Sequence, residues 1–125
     1  HKWNYQALEQ QLQNPQSPQS IVLNELSRRI KIRRKQSAFH PNATQYTLHP
    51  LNRALFVFWR QSVYREQSIF CINNLSDRTQ KLRLSDLNLI ITDPWCDLIS
   101  GKIVSEIYEK FTLKPYQCAW ITNKF

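Results

Sequence analysis

The first residues of the chain carry apolar side chains at helical spacing. Asn4 is a suitable N-cap residue, because its side chain can accept a hydrogen bond from a backbone N–H of the first turn. Tyr5, Leu8 and Leu12 then lie on one face of a helix. The Asn-Pro pair at residues 14–15 ends this pattern, so the sequence predicts a short first helix.

A second helix is predicted to begin after Ser17, a capping residue followed by a proline that suits the first helical position. Val22, Leu26 and Ile30 then recur at helical intervals, and Leu23 widens the apolar stripe. Arg, Lys and Gln occupy much of the remaining surface. We therefore expect one face of this helix to lie against a large partner.

From residue 38 onward the apolar residues alternate with a period of two, which is typical of strands. The predicted strands cover residues 45–49, 54–60, 68–74, 80–84, 95–99, 102–104, 107–113 and 117–122. About seven short strands at a spacing of about ten residues predict an antiparallel β-sandwich. The expected fold is mainly β, with a helical lead-in at residues 1–36 and the sandwich at residues 37–125.

Two connections between strands are predicted to be hairpins. The polar residues 61–67 join one pair of strands, and Pro115 with Tyr116 joins the last pair. Residues 54–60 and 68–74 are mostly apolar on both faces. Because such strands are usually buried on both sides, we expect the sandwich to pack against another body as well as against itself.

The composition fits a folded domain and excludes several classes of site. The 125 residues are 42% hydrophobic and include four Trp, six Phe and five Tyr. No apolar run is long enough to cross a membrane, so no membrane partner is expected. A single Gly is too few for a glycine-rich phosphate or dinucleotide loop, and no cofactor is expected. The absence of Met indicates a chain that belongs to something longer.

The cysteines give no metal signature. Cys71, Cys96 and Cys118 lack CxxC spacing, and only three His accompany them. We interpret all three as small buried residues of a reducing compartment, with a disulfide as the weaker alternative. A cytoplasmic location is therefore expected.

Positive charge is concentrated near the start of the chain. Of the net charge of +8, residues 1–36 contribute +5, from seven Lys or Arg against two Glu, mostly within residues 28–35. Such a cluster could neutralise phosphates of a nucleic acid. However, Ile30 and Ile32 interrupt it, and Ile30 belongs to the apolar stripe. Nucleic-acid binding is therefore a weaker alternative than carbohydrate binding, and a small independent enzyme is a third hypothesis.

No residue is predicted to be catalytic. The carboxylates, which we expect to be mostly solvated, are Glu9, Glu25, Glu66, Asp77, Asp86, Asp93, Asp97, Glu106 and Glu109. Asp86 is better explained as a turn or cap residue. Cys71 lies within an apolar strand, where a thiol is normally inert, and His40 precedes a proline in what is expected to be a tight turn.

Exposed aromatic rings would indicate a carbohydrate-binding module, which is the leading alternative function. The candidate platforms are Trp3, Trp59, Trp95 and Trp120. The last three lie in or beside predicted strands, where packing in a core is the usual role of an aromatic side chain.

Several segments resemble one known family. They are residues 1–5 (HKWNY), 26–42 (LSRRIKIRRKQSAFHPN), 58–62 (FWRQS), 69–74 (IFCINN), 95–101 (WCDLISG) and 113–121 (LKPYQCAWI). Together they resemble the C-terminal end of the sucrose-phosphorylase-like enzymes of the α-amylase superfamily, from the last barrel helix through an all-β domain. The first segment is similar to the stretch that follows a substrate-side loop late in the barrel of those enzymes.

The resemblance implies a parent enzyme that acts on α-glucosides by double displacement, with phosphorolysis or hydrolysis both open. Its Asp nucleophile and Glu acid/base belong to barrel motifs, and none of those motifs occurs in this sequence. The implied role of this chain is to cover and stabilise its own upstream catalytic barrel and to assist dimerisation. In isolation, the Val22, Leu26 and Ile30 stripe could cause self-association.

Overall fold

The computed structural model describes residues 2–87, 94–104 and 110–125. The chain divides into two compact units, His1–Lys35 and Gln36–Phe125. The interpretation of the first unit as the end of a catalytic barrel stays a prediction.

The first unit consists of two helices that begin where capping residues predict. Helix α1 spans Tyr5–Gln13, and Asn4 Oδ1 accepts a hydrogen bond of 3.2 Å from the backbone N–H of Ala7. Helix α2 spans Pro18–Arg34, and Ser17 Oγ accepts one of 3.1 Å from Ser20 N–H. The Ser17 hydroxyl also donates to the Gln11 carbonyl, which ties the loop to α1. Both predicted helix starts are confirmed.

The second unit is built from antiparallel strands in two sheets. The strands are β1 (Thr44–Leu48), β2 (Leu55–Gln61), β3 (Ser68–Asn74), β4 (Gln80–Arg83), β5 (Trp95–Asp97), β6 (Ile103–Val104), β7 (Lys110–Leu113) and β8 (Cys118–Thr122). A six-stranded sheet has the order β1-β2-β3-β8-β5-β6, and β4 pairs with β7 in a second sheet. The predicted mainly β, antiparallel fold preceded by helices is confirmed.

The core lies where apolar side chains of both sheets meet. The large sheet contributes Val57, Ile72 and Ile121, and the small sheet contributes Leu82, Phe111 and Leu113. Leu82 is buried while its neighbours Lys81 and Arg83 are exposed, as the alternation in this segment predicts. Burying each such side chain stabilises the fold by about 1.5–3 kcal/mol relative to its exposure.

The other face of the large sheet is covered in part by this chain itself. A short 3₁₀ turn at Ser37–Phe39 places Ala38 against Ile69 and Cys71, all three nearly fully buried. Phe39 packs edge-on against Trp120, with 5.0 Å between ring centroids. Strand β3, which is apolar on both faces, therefore buries part of its second face against residues of the same unit.

The polar residues 61–67 form the predicted hairpin connection, since Gln61 of β2 lies opposite Ser68 of β3. The hairpin predicted around Pro115 and Tyr116 is wrong. Strand β7 pairs with β4, whereas β8 lies between β3 and β5.

The physical reason is that this turn carries the chain from one sheet to the other. Phe111 and Leu113 of β7 enter the core from the small sheet, while Ala119 and Ile121 of β8 enter it from the large one. Residues 107–109 of the predicted strand lie outside the described residues.

Candidate functional site

An apolar groove lies on the helical unit. It is lined by Leu8 and Leu12 of α1 and by Val22, Leu23 and Leu26 of α2, together with the chain near Pro18. We call this surface the helical face. Val22 and Leu26 are 64% and 53% exposed, and Ile30 farther along the stripe is 47% exposed. Contiguous exposed apolar side chains usually mark a surface that contacts another molecule or domain.

The basic end of α2 is partly neutralised within the helix. Glu25 accepts hydrogen bonds from Arg28 Nε at 2.8 Å, from Arg28 Nη2 at 2.7 Å and from Arg29 Nε at 2.7 Å. The hydrogen bonds from Arg28 and then Arg29 lower the pKa of the Glu25 carboxyl to about 2. Two arginines of the basic run are therefore directed at a carboxylate of their own helix.

The carboxylates of the described residues lie mostly at the surface. Glu9, Glu66, Asp77 and Asp86 are exposed, as expected of solvated carboxylates. Asp86 lies in the 3₁₀ turn Leu84–Leu87, which agrees with its interpretation as a turn residue. Asp93, Glu106 and Glu109 lie outside the described residues.

Asp97 departs from the expectation of a solvated carboxylate, because it is fully buried. Its Oδ1 accepts hydrogen bonds from the backbone N–H of Ile99 at 3.1 Å and of Trp120 at 2.8 Å. Its Oδ2 accepts from Ser100 N–H at 3.2 Å and from the Ser100 hydroxyl at 2.6 Å. An ionised carboxylate offers about four acceptor positions. The four hydrogen bonds from Ile99, Ser100 and Trp120 occupy them, so this carboxylate has a structural role.

The three cysteines are free thiols. Burial raises the pKa of the Cys71 thiol to about 12, and burial followed by the nearby Asp97 raises the pKa of Cys96. Both are buried, as predicted, and a thiol with a raised pKa is a poor nucleophile. Cys118 is only half-buried, which corrects the expectation for that residue.

The tryptophans do not form an exposed row. Trp95 is 6% exposed and belongs to the core. Trp59 is half-buried and stacks between Tyr46 and Phe70, at centroid distances of 5.3 and 6.1 Å. Trp120 is also half-buried, and Trp3 on the helical unit is 79% exposed.

Two further classes of site find no support in the part of the chain that the structure describes. There, no group of three or more His, Cys, Asp or Glu side chains could hold a metal ion. Over the same residues, every helix is too short or too polar to cross a membrane.

Comparison with known proteins identifies relatives. A glucosylglycerate phosphorylase from Allomeiothermus silvanus is 32% identical over 123 residues, which are 98% of this chain and 19% of that protein. The chain therefore spans about a fifth of the length of this curated relative. This relative agrees with the resemblance of the sequence motifs to enzymes of the α-amylase superfamily.

Solved structures share the fold. An α-amylase of Anoxybacillus matches with a TM-score of 0.66 at 17% identity, over 87% of this chain and 23% of that one. The trehalose-6-phosphate hydrolase of Bacillus licheniformis matches with a TM-score of 0.65 at 18% identity, over 93% of this chain and 20% of that one.

The family model of the maltogenic amylase C-terminal domain matches residues 46–120, which include β2 through β7 and most of β1 and β8. With the shared fold and the relative, this match shows that the chain belongs to the maltogenic amylase C-terminal domain family of α-amylase-superfamily enzymes.

Proposed function

We propose that this chain is the non-catalytic C-terminal domain of an α-glucoside phosphorylase similar to the sucrose-phosphorylase-like enzymes, and that it stabilises the catalytic barrel. The observation that carries the proposal is the 32% identity to a glucosylglycerate phosphorylase over 98% of this chain. Because the alignment covers nearly the whole chain, it includes the helical unit as well as the sandwich.

The non-catalytic role is supported by the carboxylates. Glycoside chemistry needs two carboxyl groups that flank the scissile bond at a fixed separation. Asp97, the buried carboxylate of the described residues, is saturated by backbone N–H groups and by Ser100. The exposed carboxylates lie in water and not in the enclosed, apolar surroundings of a general acid.

The stabilising role is supported by the helical face. Leu26 and Val22 are more than half exposed in this chain, and each Å² of apolar surface removed from water contributes about 25 cal/mol. A barrel that covered these side chains would therefore gain stability from the contact. Phosphorolysis rather than hydrolysis is favoured because the relative is a phosphorylase.

The test compares this chain with the polypeptide encoded by the complete reading frame. Both are incubated with inorganic phosphate and either glucosylglycerate or sucrose, and release of glucose 1-phosphate is measured. We expect release by the complete polypeptide and none by the 125-residue chain.

Two results would overturn the proposal. One is turnover by this chain alone that disappears when one acidic residue is replaced by its amide. The other is a complete polypeptide that hydrolyses both glucosides without consuming phosphate.

A further inference from the structure

A cavity of about 380 Å³ opens between the β2–β3 loop and the segment that follows the 3₁₀ turn. Its walls include His40 and Asn42 from that segment and Ser62, Tyr64 and Glu66 from the loop. The volume lies within the roughly 300–1,000 Å³ of small-molecule sites. The cavity belongs entirely to the second unit.

The loop wall of this cavity has a defined conformation. Ser62 N–H donates to the Gln67 carbonyl at 2.9 Å, and Arg65 N–H donates to the Ser62 carbonyl at 2.9 Å. Arg65 has a φ of 58°, an uncommon backbone for a residue other than glycine. This turn leaves the Tyr64 ring 85% exposed.

The opposite wall is fixed to the same hairpin. Arg60 Nη2 donates to the His40 carbonyl at 2.6 Å, and Arg60 Nε donates to the Ala38 carbonyl at 3.1 Å. Gln67 Oε1 accepts from Ala38 N–H at 3.0 Å. Because both walls are tied to β2 and its loop, the cavity is formed before any ligand arrives.

Several polar groups at the cavity have no protein partner among the described residues. They are the side-chain amide of Asn42, the hydroxyl of Tyr64 and the carboxylate of Glu66. His40 uses Nδ1 to accept from Asn42 N–H at 3.2 Å, which leaves Nε2 for another partner. An amide, a hydroxyl and a carboxylate together offer both donors and acceptors.

We propose that this cavity binds a neutral saccharide, with the Tyr64 ring against the apolar face of a sugar ring. A tyrosine provides a flat apolar body with a polar tip, and vicinal hydroxyl groups can donate to the Glu66 carboxylate and exchange hydrogen bonds with Asn42. The negative charge of Glu66 opposes phosphates and other anions, which favours an uncharged ligand.

This site goes beyond the proposed function, which concerns support of the barrel and turnover by the complete polypeptide. Saccharide binding is measured on this chain alone, so failure of one proposal leaves the other standing. The experiment titrates the ¹⁵N-labelled 125-residue chain with maltose and follows backbone amide shifts by NMR.

We expect saturable shifts in the β2–β3 loop and at His40 and Asn42, with millimolar affinity. Replacing Tyr64 by Ala should weaken binding by roughly tenfold or more, because the stacking surface is lost. Glu66→Gln should weaken it less, since the amide retains an acceptor oxygen.

The matched control is Tyr116→Ala. Tyr116 is also an exposed loop tyrosine, with 68% of its surface exposed, but it lies outside the cavity. Its replacement should leave the affinity within about twofold. The proposal is overturned if maltose causes no saturable shifts, if both tyrosine variants weaken binding equally, or if inorganic phosphate competes with maltose.

Discussion

At the scale of single residues, Asp97 is a buried carboxylate whose hydrogen bonds stabilise the fold. It holds the backbone of residues 99 and 100 in a turn and also reaches Trp120 on β8. A hydrogen bond to a charged acceptor contributes about 1.5–3 kcal/mol to stability. Asp97 therefore fixes the connection between β5 and β6 to the neighbouring strand.

Asp97→Asn should lower the free energy of unfolding by about 2–4 kcal/mol, because the amide nitrogen would face donors that now bond to Oδ2. The measurement is urea denaturation followed by tryptophan fluorescence. Asp86→Asn serves as control, since Asp86 is exposed and its replacement should change stability by less than about 0.5 kcal/mol. Equal stability of the two variants would contradict the structural role.

Residue burial could be predicted from sequence only where alternation within one strand decides it. Leu82 follows that rule and is buried as predicted, while Cys71 is buried as predicted within a strand that is apolar on both faces. Asp97 does not, because its partner Trp120 lies 23 residues away and the bond depends on the pairing of β5 with β8. A carboxylate followed by a turn containing Ser100 and Gly101 was the available signal, since Asp commonly bonds the backbone two residues on.

At the scale of elements, helix α2 carries an ion-pair network that responds to acid. Arg28 and Arg29 lie three and four residues after Glu25, where helical neighbours meet. The side chains are 35–45% exposed, so screening by water keeps the contribution of the network to about 0.5 kcal/mol or less.

The folded pKa of Glu25 is depressed from 4.5 to about 2, so this contribution is present above about pH 4.5. It is expected to disappear as the pH falls from there through about 2. Circular dichroism at 222 nm should therefore show a small loss of helix in this range, and the loss should be reduced in Glu25→Gln. Glu9→Gln on α1 is the control, and an unchanged acid transition in Glu25→Gln would contradict the prediction.

Elements defined by local pattern were predictable, and pairings between distant elements were not. Capping by Asn4 and Ser17, and the hairpin of β2 with β3, depend on neighbours in sequence. The pairing of β4 with β7 joins Gln80 to Leu113 across the fold. Adjacent strands joined by a short turn are usually paired, so the local pattern at residues 115–116 predicts a hairpin that the sheet order excludes.

At the scale of the whole molecule, the exposed helical face predicts association of this chain with itself when no barrel covers it. Analytical ultracentrifugation should show a sedimentation coefficient that rises with concentration. Leu26→Asp should suppress the rise by placing a charge on the apolar surface.

The control for this experiment is Leu51→Asp. Leu51 is fully exposed but lies outside the helical face, so its replacement should leave the association unchanged. A chain that stays monomeric at all concentrations, or equal effects of the two variants, would show that the helical face does not drive association.

The family could be predicted from sequence because its motifs are contiguous segments, such as residues 113–121. The cavity beside Tyr64 could not, because its two walls come from segments about 20 residues apart that hydrogen bonds of Arg60 and Gln67 help to bring together. Residue type alone makes the tryptophans candidates for sugar binding, whereas the exposed ring of Tyr64 and the polar side chains around it are visible only in the structure.

Gln67 has one more consequence for the sandwich. Its Nε2 donates to Gln36 Oε1 at 2.7 Å and to the Lys124 carbonyl at 3.2 Å, so positions 36 and 124 lie on either side of one amide group. A module whose entry and exit points adjoin can be transplanted into a surface loop of a host protein, or circularly permuted, without stretching its chain. The closeness of positions 36 and 124 therefore makes the sandwich suitable for insertion into a loop of another protein.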